Sequence, residues 1–146
     1  MALDRSYVAR NDASRERLRA LVARLTDERL GRPIGHGWTV SAALAHLAHW
    51  DRRALAALEE WERTGVRISP ADADAVNEAR LPEWLATPPR QAARQVLDAA
   101  ETVDRKAERL AADLVEAILA TGRVRALDRS PHRHEHLDEI ERALVG

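Results

Sequence analysis

Three histidines lie within five residues near the C-terminus, in the segment PHRHEHLDEI that runs from Pro131 to Ile140. They are His132, His134 and His136, and the chain holds six histidines in all. Such a group can be a solvated polar patch, a hydrogen-bonded core pair, or part of a metal site. The third possibility is chemically specific because neutral imidazole nitrogens bind zinc and related divalent ions.

The spacing divides these histidines into a pair and a third residue. An α-helix turns about 100° per residue, so His132 and His136 lie about 40° apart on one face. His134 lies on the opposite side, where a solvated side chain is the simplest interpretation. Histidines four residues apart on a helix can bind one metal ion together. A pair alone is weak evidence, so a third ligand decides between the alternatives.

The other three histidines are His36, His46 and His49, and two of them lie in the segment GWTVSAALAHLAHWD. Leu44 and Leu58 mark the inward direction of a helix through this segment. His46 falls about 100–120° from that direction, and His49 falls further out. The geometry therefore favours His46 over His49 as the third ligand. His36 lies in a glycine-rich loop and is expected to be exposed.

Four main helices are expected to position these side chains. The chain is rich in alanine, leucine, arginine and glutamate, and lacks a β-branched alternating run, which predicts an all-α protein. The main helices are expected from Asp4 to Leu30, from Thr39 or Ser41 to about Thr64, from Thr87–Arg90 to Gly122, and from Ser130 to Leu144. A shorter helix is expected from Asp72 or Asp74 through Leu85, between the second and third of these. Four long helices with one long connection predict a four-helix bundle, in a single domain over residues 1–146.

Composition excludes several classes of function. The chain has no cysteine, so a catalytic cysteine, a thiolate metal site and a disulfide are excluded. The net charge is −1, with charges of both signs spread along the chain. Because a nucleic-acid surface usually needs a basic stripe, this balance argues against nucleic-acid binding. The N-terminal segment MALDRSYVAR is charged and does not resemble a signal peptide, and no apolar stretch is long enough for a membrane helix. We therefore expect a cytoplasmic protein. The four tryptophans are expected to fill much of the core.

Two segments carry a resemblance to a known family. The block GWTVSAALAHLAHWD (Gly37 to Asp51), followed by HRHEHLDEI (His132 to Ile140), resembles the DinB-like superfamily of YfiT-like metalloenzymes. The middle segment VNEARLPEWLATPPRQAARQVL resembles the third-helix region of that family. The resemblance covers essentially the whole chain. Members of this family include thiol S-transferases and the N-terminal domain of mycothiol-dependent maleylpyruvate isomerase.

The resemblance implies a particular bundle and a particular metal site. It implies up-down-down-up topology and a divalent metal held by His46, His132 and His136. Trp38 is similar to a structural anchor beneath the preceding loop. Many relatives carry tyrosine directly after the first histidine of the last-helix pair, where this chain has Arg133, and we expect that difference to change the rim of the site.

Two kinds of chemistry are open to an ion held by three imidazoles. Zinc bound in this way lowers the pKa of its water to about 7, or the ion can accept the thiolate of a small molecule. Without a cysteine in the chain, that thiol would be a cofactor such as mycothiol or bacillithiol. The leading hypothesis is therefore a metal-dependent hydrolase or thiol S-transferase, with zinc or nickel, acting on a small electrophile.

Other interpretations remain at this stage. The alternative is a non-catalytic bundle, either metal-stabilised or metal-free, that binds a small ligand or a protein partner. A metal position closed by a fourth protein ligand, such as His49 or His36, would indicate it. DNA binding is suggested by the family's association with DNA damage, but the balanced charge opposes it. A homodimer is plausible for a bundle of this size. Glu135 flanks the histidine pair, and we interpret Asp51 and Glu139 as surface or capping charges.

Overall fold

The computed structural model describes residues 3–145, and nearly all of its regular structure is helical. The helices are α1 (Tyr7–Arg24), α2 (Asp27–Leu30), α3 (Val40–Thr64), α4 (Ala73–Ala86), α5 (Pro89–Arg109), α6 (Ala112–Ala120) and α7 (Ser130–Val145), with a 3₁₀ turn at Val124–Ala126. The prediction of an all-α protein is confirmed. Two short strands, β1 (Pro33–Gly35) and β2 (Trp38–Thr39), were not predicted.

The first predicted helix, Asp4 to Leu30, is wrong in its bounds because the chain breaks after α1. Leu25 adopts an extended backbone and buries its side chain in the core. Thr26 then starts α2, and its side-chain oxygen accepts a hydrogen bond from the backbone N–H of Arg29 at 3.2 Å. Burial of Leu25 and the cap at Thr26 together favour two helices over one.

The loop before α3 is an antiparallel hairpin. β1 pairs with β2 in register Pro33 with Thr39 and Gly35 with Trp38. His36 closes the turn with a φ of 55°, a left-handed conformation that is uncommon outside glycine. The strands are three and two residues long, too short to show a periodicity in the sequence.

The second main helix and the shorter helix through Leu85 agree with the structure. Thr39 caps α3 by accepting a hydrogen bond from the backbone N–H of Ala42 at 3.1 Å, and α3 ends at Thr64. Asp72 caps α4 in the same way through the backbone N–H of Ala75. Of the alternatives open in the sequence, Thr39 and Asp72 are therefore the caps.

The predicted long helix from the TPPR segment to Gly122 is wrong in its second half. Leu110 and Ala111 are extended, and they separate α5 from α6. The Leu110 side chain is buried, and its carbonyl accepts a hydrogen bond from the Arg5 guanidinium at 3.0 Å. A side-chain donor thus satisfies a carbonyl that a continuous helix would have bonded internally.

The last predicted helix begins at Ser130, and α7 begins there in the structure. Ser130 is the first helical residue, and its backbone N–H and its hydroxyl both donate to the Asp128 carboxylate, at 3.1 and 2.5 Å. Asp128 therefore provides the acceptor at this helix end. The neighbouring Pro131 fits because the first helical turn needs no internal N–H donor there.

The four long helices pack in a closed arrangement around the core. α3 packs along α5, α5 contacts α1, and α7 contacts both α1 and α3. This is the packing expected of a four-helix bundle, while the up-down-down-up order stays a prediction. Two apolar clusters fill the interior, one around Leu44, Trp84 and Leu137 and the other around Tyr7, Leu58 and Ile118.

Trp84 is the one tryptophan that the described structure buries fully; Trp38, Trp50 and Trp61 are partly exposed. The expectation that all four fill the core is therefore only partly met. In residues 3–145, every helix is too short or too polar to cross a membrane.

Candidate metal centre

Three histidine side chains converge on one point between α3 and α7. The Nε2 atom of His46 lies 3.0 Å from Nε2 of His132 and 3.1 Å from Nε2 of His136. One ligand atom from each ring lies within 4.8 Å of the others. Metal–nitrogen distances of about 2.0–2.1 Å allow one ion to contact two nitrogens that are up to about 4.2 Å apart, and both separations from His46 Nε2, 3.0 and 3.1 Å, fall within that limit. The structure thus brings together the three residues that the sequence singled out.

The chain places His46 rigidly. It lies on the second turn of α3, and its side chain is buried. The rings of Trp38 and Trp84 stand edge-on to the imidazole, each with its centroid 5.0 Å away. Trp38 comes from the hairpin and Trp84 from α4, so two neighbouring elements fix the orientation of one imidazole.

The ring nitrogens of the cluster cannot satisfy one another. His46 Nε2 has two Nε2 neighbours, but a single ring nitrogen carries either one proton or one lone pair, so it can hydrogen-bond with only one of them. In the described structure, the Nδ1 atoms of His46 and His136 are buried without a hydrogen-bond partner. Glu139 comes near, with an oxygen 3.5 Å from His136 Nδ1, which is too long for a good hydrogen bond. A cation bound by the lone pairs of all three Nε2 atoms would satisfy these nitrogens together.

The environment keeps His46 and His132 neutral. Burial, reinforced by the neighbouring rings of His136 and His132, lowers the pKa of His46 to about 2. Burial, followed by His136 and the guanidinium of Arg129, lowers the pKa of His132 to about 3. Neutral imidazole is the form that binds metals, so these two ligands need no proton release near neutral pH.

The cluster forms one wall of an open cavity of about 510 Å³. The hairpin contributes Ile34 and the exposed His36, α4 contributes Asn77, and α7 contributes Glu135 and Glu139. The side-chain amide oxygen of Asn77 accepts a hydrogen bond from the Trp50 indole N–H at 2.9 Å, and this bond joins α4 to α3 beside the site. A small molecule entering this cavity would reach the three imidazoles directly.

The remaining histidines lie outside the cluster. His49 is half-buried, and its ring packs against Trp50 and Trp84 at 5.6 Å. His134 points away, and its Nδ1 lies 2.8 Å from the Arg17 guanidinium, so it is partly covered rather than fully solvated. His36 is exposed as expected and lines the mouth of the cavity.

Asp51 and Arg133 differ from the sequence interpretation. The Arg133 side chain is 1% exposed, so it lies inside the bundle and not at the rim. It donates to Asp104 on α5 at 2.8 Å and to Asp51 on α3 at 3.2 Å. Asp51 also accepts from Arg129 at 2.9 Å and is buried, so its interpretation as a surface or capping charge is wrong.

This buried ionic network, made of Asp51, Asp104, Arg15, Arg129 and Arg133, was missed in the sequence. Arg15 on α1 adds a 2.6 Å hydrogen bond to Asp104. The network therefore joins all four long helices directly behind the histidines. The one available signal was the interruption of the apolar stripe by Asp104, at a helical position between Ala100 and Ala107.

The fold and the cluster define an all-helical protein with a candidate three-histidine metal centre. A family model described as the DinB superfamily matches residues 10–139, and the chain therefore belongs to the DinB superfamily. The resemblance inferred from the two histidine segments is thus confirmed. No curated protein and no solved structure matches the chain significantly.

Proposed function

We propose that the chain is a metal-dependent enzyme in which His46, His132 and His136 hold one divalent ion. The observation that carries this proposal is the convergence of three Nε2 atoms on the wall of an open cavity. Membership of the DinB superfamily agrees with it. Zinc or nickel suits three imidazoles best.

The proposed reaction is hydrolysis or thiol transfer on a small electrophile. An ion of this kind supplies a coordinated water with a pKa of about 7, or a position for a thiolate. The chain has no cysteine, so thiol transfer would use a low-molecular-weight thiol such as mycothiol or bacillithiol. The chain's own contribution is to orient the imidazoles and to hold those of His46 and His132 neutral.

A non-catalytic bundle with a closed metal site is the second candidate. Structural sites are typically closed by a fourth protein ligand. In residues 3–145 the cluster consists of three histidines, and the two residues considered as a fourth ligand are placed elsewhere. His49 packs between tryptophan rings, and His36 is exposed at the cavity mouth. An open site favours catalysis over a purely structural ion.

Metal content tests the proposal. Untagged protein purified without chelator should contain about one ion per chain by elemental mass spectrometry. His132→Ala should lose most of that metal because it removes one of three ligands. His134→Ala is the matched control on the same helix and should keep it. Equal metal in both variants, or none in wild type after reconstitution with zinc and nickel, would contradict the site.

The setting of this activity is also a proposal. We propose a single catalytic domain that works in the cytoplasm, as a monomer or a homodimer, on a small molecule and without nucleic acid. Light scattering on the purified protein would decide between the two oligomeric states.

A further inference from the structure

A second cavity of about 320 Å³ adjoins the one that contains the histidines. The two share Trp50, Ala73, Arg125 and Arg129 as lining residues, so they form one continuous cleft. The second cavity lies between α3, the connection that leads to α4, and the 3₁₀ turn before α7. A molecule of moderate size could therefore occupy both parts at once.

The lining of this second part is strongly cationic. It contains four arginines, Arg53, Arg123, Arg125 and Arg129, and no carboxylate side chain. Among the described residues, Arg129 pairs with Asp51, whereas the other three form no salt bridge. Asp128 lies nearby on the wall of the first cavity, but its carboxylate already accepts from Arg10 at 2.8 Å and from Ser130. The lining of the second cavity is therefore cationic, whereas the carboxylates of Asp128, Glu135 and Glu139 belong to the wall of the adjoining first cavity.

Apolar rings accompany the charge. Trp50 and Trp61 line the same cavity, together with Ile68. The Arg53 guanidinium carbon lies 5.1 Å from the centre of the Trp50 ring, a cation–π arrangement that holds this arginine over the cleft. Unpaired arginines on a convex surface are ordinary solvated groups. Three such arginines on one concave wall, together with Arg129 and two tryptophans, are suited to an anion that also carries an apolar part.

We propose that this arginine cleft binds an organic anion, through its carboxylate or phosphate group, with the apolar part of the molecule against Trp50 and Trp61. Guanidinium groups bind both kinds of anion through paired N–H donors. The anion site stands on its own contacts. That the bound molecule extends its reactive end toward the three histidines rests, in addition, on the proposed function.

Calorimetric titration with small probes tests the cleft. Phenylacetate and phenylphosphonate carry the two anion types, and phenylacetamide is the neutral counterpart of nearly the same shape. At constant ionic strength, we expect at least one anion to bind about tenfold more tightly than the amide. The tighter of the two anions shows whether the cleft prefers a carboxylate or a phosphate-type group.

Two variants locate the binding. Arg53 and Arg125 are exposed, so the double variant R53Q/R125Q should fold, which an unchanged circular dichroism spectrum and melting temperature would establish. It should lose most of the preference for the anion. Arg94→Gln removes a positive charge from an exposed position on α5, away from the cleft, and should leave that preference unchanged.

Each titration is repeated after removal of metal by a chelator, because a carboxylate or a phosphonate can also bind an ion directly. A preference that persists without metal supports the arginine cleft, even if the proposed metal chemistry fails. A preference that disappears with the metal assigns the anion to the ion and overturns the proposal. Undetectable binding of both anions, or an equal loss in the Arg94→Gln variant, overturns it too.

Discussion

His46 and His132 resist protonation because their rings are buried and face other imidazoles. Their pKa values, about 2 and about 3, lie far below the ordinary value of 6.5. In the metal-free protein, the unfolded chain therefore binds protons between these values and pH 6.5 that the folded chain does not. By this linkage, the free energy of unfolding falls as the pH falls below 6.5.

The slope of this dependence is a testable property. Each such histidine should lower the free energy of unfolding by roughly 1 kcal/mol between about pH 6 and pH 5. His132→Gln, studied without metal, should have a shallower slope by about that amount in urea titrations at the two pH values. His134→Gln should keep the wild-type slope. Identical slopes in both variants would show that His132 titrates normally.

The sequence revealed the metal-site candidates better than the charges behind them. His132 and His136 follow from helical spacing, and His46 from its angle to the leucine stripe together with the family resemblance. Arg133 could not be placed because buried and exposed arginines look alike in a sequence, and only its partners on other helices stabilise its burial. Arg133 and Asp104 are far apart in the sequence, so their pairing produces no local periodicity from which it could be predicted.

At the scale of the elements, the start of α3 controls both the hairpin and the site. Thr39 ends β2 and caps α3, and His46 lies on the second turn of that helix. Loss of the cap would leave the Ala42 backbone N–H without its acceptor. The first turns of α3 would then fray close to a candidate ligand.

Thr39→Ala should lower the free energy of unfolding by about 1 kcal/mol, the usual cost of losing a threonine cap. It should also weaken metal binding, because fraying moves His46. Thr102→Ala is the control, because the Thr102 hydroxyl lies on exposed helix surface and bonds only within its own helix. It should lower the free energy of unfolding by about 0.5 kcal/mol or less. Urea unfolding compares the two variants. A Thr39→Ala protein as stable as the control would show that the cap contributes little.

The helix boundaries show where local patterns suffice and where they do not. Thr39 and Asp72 are short-range signals, and the helix starts that they predict agree with the structure. The breaks at Leu25 and Leu110 occur at leucines within apolar stripes, which favour continuation of a helix. Both leucines bury their side chains in tertiary packing, and that gain outweighs local helix propensity.

At the scale of the molecule, the ionic network lies at the boundary between the two apolar clusters. Arg133 is central to it because it bonds both buried carboxylates, Asp51 and Asp104. Removing one member of a buried ion pair leaves the other charge without compensation, which typically costs 3–5 kcal/mol. Arg129 and Arg15 would still partner the two carboxylates, so the lower end of that range is expected.

Arg133→Met should therefore lower the free energy of unfolding by about 3 kcal/mol. Arg17→Met is the matched control, because Arg17 also joins α1 to α7, through Asp138 and Glu141, but at the surface. Exposed ion pairs contribute about 1 kcal/mol at most. Urea unfolding at pH 7 measures both variants. Equal losses would mean that burial adds nothing to the strength of the Arg133 contacts.

The tryptophans around His46 give the protein an intrinsic optical probe. The ring centroids of Trp38 and Trp84 lie 5.0 Å from the His46 ring, and that of Trp50 lies 6.4 Å away. Trp61 lies on α3 about four turns after His46 and packs with the apolar cluster around Tyr7, Leu58 and Ile118. Copper or nickel bound by the histidines should quench the emission of the first three far more than that of Trp61. Metal uptake could then be followed by fluorescence in the unlabelled chain, in real time.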